Sequence, residues 1–192
     1  MTILNLEVSY SGNVISPDSK NLIETIHYSK TARSQLQVHV FTLNKEGKEV
    51  GVAIFGMPIC RHYDIDTLEL RRFVCLEELP KNTESFFLGK CLRWIEKNDK
   101  EIVRVITYAD PNQGHSGVIY KATNFMEDGE ELSGNPRIVK MGNKTIHIRQ
   151  LYQKHNGEYA PDAKRYQAAV RSGLAKIVKQ KKKLRFTYWF RK

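Results

Sequence analysis

At 192 residues, 41% hydrophobic and 27% charged, the chain is long enough to bury a core without disulfide or metal staples and too apolar to be disordered. No apolar run approaches the ~20 residues that cross a bilayer, and the N-terminal MTILNLEVSY has neither the basic start nor the apolar core of a signal peptide. Cys60, Cys75 and Cys91 are odd in number and never spaced C-x-x-C, which argues against a disulfide framework and against structural zinc. A single cytoplasmic domain over residues 1–192 with buried free thiols is predicted. The net charge of +10 is local: residues 163–192 hold eleven Lys or Arg and no Asp or Glu. That segment favours a polyanion such as nucleic acid, or an anionic membrane surface, over a small neutral partner.

Residues 1–10 alternate loosely and predict a first strand, followed by a loop over 11–20 where Gly12, Asn13 and Pro17 interrupt regular structure. In residues 21–30 (NLIETIHYSK), Leu22, Ile23 and Ile26 stand at helical spacing, so a short helix is predicted with His27 and Tyr28 at its exit. Two ionisable rings there suit a site; equally, Tyr28 can cover the core edge while His27 caps the last carbonyls. Residues 35–43 and 49–55 read as strands, and Gly47 between them suits a hairpin. His39 falls on a sheet face, and His62 and Tyr63 lie in a polar connection.

Residues 67–75 (TLELRRFVC) predict a strand. Strict alternation puts Leu68, Leu70, Arg72 and Val74 on one face and Glu69, Arg71, Phe73 and Cys75 on the other. Each guanidinium then needs an anion or carbonyl, Glu69 being the simplest partner. Residues 82–97 form the clearest helix: Asn82 or Thr83 caps it, and Phe87, Leu88, Cys91, Leu92 and Ile95 make its buried stripe. Its first N–H groups, with the hydroxyls of Thr83 and Ser85, can cradle a coenzyme pyrophosphate, although a well-capped helix needs no ligand.

Residues 102–108 (IVRVITY) predict a short buried strand that delivers Tyr108 and Asp110. Pro111, Gly114 and Gly117 make 110–117 a loop holding His115, after which VIYKATNF resumes as a short helix or turn carrying Tyr120. A strand ending in an acid, then a glycine loop, then a Tyr is the build of a site beyond the carboxyl ends of an open α/β sheet; Asp-Pro is also an ordinary turn opener. Residues 127–136 are acidic and glycine-bearing, and 137–154 read as strand, Gly-Asn turn and strand, with His147 and Arg149 on one face. An amphipathic helix is predicted over 166–178. The terminal KQKKKLRFTYWFRK sets Lys181, Lys182, Lys183 and Arg185 among four aromatic residues, a mixture that suits nucleic acid. There LRFTYWF reads as the last strand, with the lysines on its outer side.

HYS at 27–29, GMP at 56–58, ELRRF at 69–73, NTES at 82–85 and above all YADPNQGHSGVIYKATNF at 108–125 together resemble the Mom family of bacteriophage DNA adenine modification proteins. The resemblance implies an α/β fold like that of GNAT-type N-acetyltransferases: a mixed, mostly antiparallel central sheet flanked by helices. It implies conversion of adenine N6 in double-stranded DNA to an N6-carbamoylmethyl form that protects the DNA from host restriction. By the same resemblance His27, Tyr28, Asp110 and Tyr120 are the catalytic candidates, and Arg72, Asn82 and Ser85 handle a coenzyme, with acetyl-CoA implied by the fold. Iron is implied at His27 and Asp110, and either His115 or Tyr28 would complete its ligands. One departure is plain: LPKNTESFFLG replaces the acetyltransferase signature Q/R-x-x-G-x-G/A ahead of the main helix. The N6 lone pair of adenine is delocalised, so its modification needs strong activation, and in a duplex the base must be extruded, with Tyr28, Tyr108 or Tyr120 available to stack on it. Two other functions remain open from the residues: an acyl-CoA-dependent N-acetyltransferase acting on a protein or small amine, and a non-enzymatic basic DNA-binding protein.

Overall fold

The computed structural model describes residues 5–27, 37–58, 63–130, 137–147, 151, 154–155, 157–159 and 161–191. In chain order the first elements are β1 (Leu6–Tyr10), α1 (Pro17–Ile26), β2 (Gln37–Lys45), β3 (Lys48–Gly56), β4 (Thr67–Cys75), α2 (Thr83–Asn98) and β5 (Arg104–Ala109). A 3-10 turn (Pro111–Gln113), α3 (Val118–Ala122), β6 (Met126–Glu130), β7 (Arg137–Met141), β8 (Lys144–His147), β9 (Lys154–His155) and β10 (Glu158–Tyr159) follow. The chain ends with α4 (Pro161–Arg171), β11 (Lys176–Lys179) and β12 (Leu184–Trp189). The fold divides into two compact units, Met1–Ala109 with Ser116–Gly129 and Leu184–Lys192, and Asp110–His115 with Glu130–Lys183.

The first unit is built on a seven-stranded sheet in the order β1-β2-β3-β4-β5-β12-β6. Its β1–β2, β2–β3, β3–β4 and β5–β12 ladders are antiparallel, and β4–β5 is parallel, joined through α2. Such a crossover is what a parallel pair requires. The β2–β3 hairpin turns through Glu46 and Gly47, both at positive φ, as its two-residue loop demands. One sheet face buries Phe41, Phe55, Leu68, Leu70 and Phe186 against the stripe Phe87, Leu88, Cys91, Leu92 and Ile95 of α2. The other buries Val40, Val52, Ile54 and Val74 under Ile23 of α1. His39 closes the sheet against the end of α2, its Nε2 lying 2.9 Å from Asp99 Oδ2 and its Nδ1 3.2 Å from the Tyr10 hydroxyl.

The second unit holds a three-stranded sheet, β11-β7-β8, and a two-stranded one, β10-β9. Val139, Leu151, Tyr166, Ala169 and Ala175 form its core.

Several sequence expectations change. Residues 17–20, read as loop, are the first turn of α1: Pro17 sits at N1 and the Ser16 side chain accepts from the Ser19 N–H, so the proline starts the helix instead of breaking a strand. Ile26, assigned to the buried stripe, is 37% exposed. β6 occupies a stretch noted only as acidic and glycine-bearing, and its Asp128 finds partners on β12. The helix predicted over 166–178 runs Pro161–Arg171 and stops before Gly173 at φ 76°, which frees Ile177 for β11.

Candidate functional site

The parallel β4–β5 ladder is short: it pairs Thr67 with Arg104, Leu68 with Val105 and Glu69 with Ile106, and then ends. β4 continues to Cys75 and β5 to Ala109, so beyond the last pair the strands part, and the Thr107 hydroxyl donates to Leu70 O at 3.3 Å where the ladder stops. Backbone groups released by such a splay face a cleft instead of a neighbouring strand, and a ligand can use them. β4 also slips register against β3, Ile54 facing Arg72 while Phe55 faces Leu70. This bulge puts one extra residue, Arg71, into the strand. Leu70 and Phe73 therefore share the α2 face, while Val74 joins the α1 face. The strict alternation expected here is overturned: Arg72, opposite Ile54, lies with Val74 on the α1 side and no longer shares a face with Leu68 and Leu70, which Phe73 joins instead. One Arg72 nitrogen donates to Arg71 O at 2.6 Å.

The first turn of α2 lies beside the end of β4, where Phe73 packs on Phe87 at 5.6 Å between ring centroids. Burial, helped by the charge of Glu84, pushes the Cys75 thiol up to about 12, and burial raises Cys91 as well; both are free thiols. Asn82 takes the N-cap position at φ 69° but makes no side-chain cap bond, and Ser85 Oγ donates back to Asn82 O at 3.0 Å. Thr83 Oγ1 is buried and is without a hydrogen-bond partner among the described residues. An orphan hydroxyl on a helix turn whose own N–H groups lack intrahelical partners is a polar cradle. A cleft of about 150 Å³ extends along α2 from Ser85 past Gly89 to Arg93, closed by Thr123, Asn124 and Tyr188.

Gly117 starts α3 at φ 79°, and Phe186 of β12 seats directly on its α-carbon: a Cβ built there would stand 2.1 Å from the ring. This seat holds Tyr120, whose ring packs 5.3 Å from Phe186 and 5.7 Å from Phe125.

In the second unit Asp110 caps the 3-10 turn. Its Oδ1 accepts from the Asn112 backbone N–H at 2.9 Å and from Asn112 Nδ2 at 2.8 Å, while Oδ2 has no partner among the described residues. The Asn112 amide then clasps the basic run, taking the Lys181 N–H on Oδ1 and giving Nδ2 to Lys181 O, both at 2.9 Å. His115 is exposed, with its N–H on Asp110 O at 3.2 Å.

On the sheet face opposite α2, Arg185 donates to Asp128 Oδ1 at 2.8 Å and to the Tyr63 hydroxyl at 3.2 Å, and that hydroxyl lies 3.3 Å from the hydroxyl of Tyr108. The Asp128 bond holds the Arg185 guanidinium above its ordinary pKa, against a smaller desolvation effect.

The Mom protein family model matches residues 11–192. The chain belongs to the Mom protein family. It is 26% identical over 141 residues to the "Methylcarbamoylase mom" of Escherichia phage Mu, a match covering 62% of this chain and 58% of that protein, and so less than two thirds of the relative's length. Its fold is that of the GNAT acetyltransferases. The ribosomal-protein-S18-alanine N-acetyltransferase of Escherichia coli superposes with a TM-score of 0.53 at 8% identity, over 97% of this chain and 96% of that one. A GNAT family acetyltransferase from Elizabethkingia anophelis with acetyl-CoA bound gives 0.55 at 8%, over 96% and 98%.

Among the candidates in this Mom-family chain, His27 ends α1, its N–H donating to Ile23 O at 3.1 Å, on the sheet side that Arg72 shares. Tyr28 lies outside the described residues. Lys181 and Lys182 are exposed, Lys183 is half-buried, and Arg185 belongs to the Asp128 pair. Sequence reading missed Asn112, Arg93, Arg104 and the Tyr63–Tyr108 contact; only the adjacency of Asn112 to Asp-Pro, a turn signal, pointed to any of them. Iron fits poorly: among the described residues no three of His, Cys, Asp and Glu gather as a metal needs. An acetyl-CoA-like coenzyme fits better. Thr83, Ser85 and Arg93 would hold it, with the open end of β4 beside them. Among the described residues no helix is long and apolar enough to cross a membrane.

Proposed function

We propose that the chain is a phage-type DNA modification enzyme that converts adenine N6 in double-stranded DNA to the N6-carbamoylmethyl form and so shields the DNA from restriction. The observation that carries this reading is the family match over residues 11–192, which takes in the whole Asp110–Tyr120 stretch; the name of the phage Mu relative agrees with it. The net charge of +10 suits a polyanionic substrate.

In this reading the coenzyme, when bound, would supply the two-carbon unit and leave as its free thiol, and N6 would give up one proton. The amide nitrogen and the two-electron oxidation at the methyl carbon would come from a nitrogen donor and an oxidant acting as co-substrates. The chain's own residues do the rest. The α2 turn holds the coenzyme through Thr83, Ser85 and Arg93. Asp110 Oδ1 is spent on Asn112, which leaves Oδ2 to accept a hydrogen bond from the exocyclic amine and orient it. Tyr120, fixed by Phe186 and Phe125, offers its ring to the extruded base, whereas His27 ends α1 on the other side of the sheet and is left out of this set. Lys181, Lys182 and Lys183 neutralise backbone phosphates. The second reading, N-acetylation of a protein or small amine, draws on the acetyl-CoA-bound neighbour.

Mass spectrometry of nucleosides from cells expressing the chain separates the readings: carbamoylmethylated deoxyadenosine is expected. Asp110→Asn keeps an acceptor for the Asn112 turn while removing the charge, so it should abolish the product with the melting temperature unchanged. Unmodified deoxyadenosine from folded wild-type protein would refute the proposal.

A further inference from the structure

Opposite α2, the outer parts of β5 and β12 carry cross-strand pairs of a different kind from the core. Arg104 pairs with Trp189, Ile106 with Thr187 and Tyr108 with Arg185. Ile106 and Thr187 are buried, but Trp189 is 47% exposed, although on the opposite face of the same strand Phe186 is fully buried. The Arg104 guanidinium lies over the Trp189 ring at 5.0 Å and over the Tyr63 ring at 5.6 Å, and its Nε donates to Thr67 Oγ1 at 2.9 Å. Among the described residues no carboxylate pairs with Arg104, whereas Arg185 on the same strip is neutralised by Asp128. Arg104 is thus a fixed, half-buried cation beside a half-exposed indole. Its position is set by its neighbours before any ligand arrives, and the terminal nitrogens make no hydrogen bond among the described residues.

We propose that Trp189, Arg104 and Tyr63 form a binding strip for an unstacked nucleotide of the DNA substrate. An indole that stacks on any base, beside a cation that meets phosphate, is the build that single-stranded nucleic acid requires. Intact duplex hides its base faces, so the strip takes a nucleotide that has left the stack: one on the orphaned strand beside the extruded base. This rests on the DNA-modification reading and adds to it a site on the sheet face away from α2, distinct from Asp110 and from the lysine run.

The test is photo-cross-linking of the full chain to single-stranded oligonucleotides carrying 5-bromouracil, with peptide mapping, alongside anisotropy titrations of single-stranded and duplex DNA. Cross-links are expected at Trp189 or Tyr63. Trp189→Ala removes a half-exposed ring at little cost to folding, and it should weaken single-strand binding about tenfold, while Trp189→Phe retains most of the affinity. Arg104→Gln should reduce the salt slope for single strands by about 0.7. Cross-links confined to other segments, or wild-type affinity in Trp189→Ala, overturn the strip while leaving DNA modification standing if nucleosides are still modified. Wild-type protein that neither binds nor modifies DNA removes both readings together.

Discussion

Gly117→Ala isolates the packing that joins the loop after β5 to the last strand. Two costs act at this position. An alanine at φ 79° occupies the left-handed region at about 1–2 kcal/mol. Its methyl would also start 2.1 Å from Phe186 Cζ, in a ring that is fully buried, and overpacking of this kind costs about 1–3 kcal/mol. The expected destabilisation is about 2–5 kcal/mol, or a fall in Tm of roughly 5–15 °C for a chain of this length. Gly114→Ala supplies the control: φ is 77°, but nothing lies within 4 Å of its Cβ, so only the conformational cost of about 1–2 kcal/mol applies. Urea denaturation followed by circular dichroism reads both. A double-mutant cycle with Phe186→Ala should show coupling, since removing the ring removes the clash. Equal costs for Gly117→Ala and Gly114→Ala, or strict additivity in the cycle, would show that Phe186 does not seat on Gly117. Tyr120 packs on the same ring, so its near-ultraviolet dichroism should also change in Gly117→Ala.

In a Cys60→Ser background, Cys75 and Cys91 should resist alkylation at pH 8 in the native protein and react fully in urea, because burial keeps both protonated; stoichiometric native labelling would contradict this. The sign of the linked stability follows: Cys75 rises from 9.0 unfolded to about 12 folded, so its contribution is full below pH 9.0 and is lost as pH climbs toward 12. Replacing Lys181, Lys182 and Lys183 by Gln should make the salt dependence of duplex binding shallower, by about 0.9 for each phosphate no longer neutralised. An unchanged slope would assign the run to solvent.

What could be read from the sequence was whatever local pattern fixes. The α2 stripe emerged residue for residue, and so did the bounds of β4; the β2–β3 hairpin emerged with Gly47 in its turn, its strand ends shifted by one or two residues, because periodicity and turn chemistry act within a few residues. The Asp110–Gly117 loop was equally local, since Pro111, Gly114 and Gly117 admit little else. Tertiary structure alone decided the bulge at Arg71, which no alternation pattern announces and which turned Arg72 and Phe73 to faces opposite those expected. It decided the insertion of β12 between β5 and β6, a pairing across more than fifty residues that gave Arg185 to Asp128 and left Arg104 without an acid among the described residues. A separation of 69 residues lies between Asn112 and Lys181. A residue's type fixes what it can bond, but its partner is chosen by packing between segments far apart in the chain, and the sequence around either segment carries no trace of that choice.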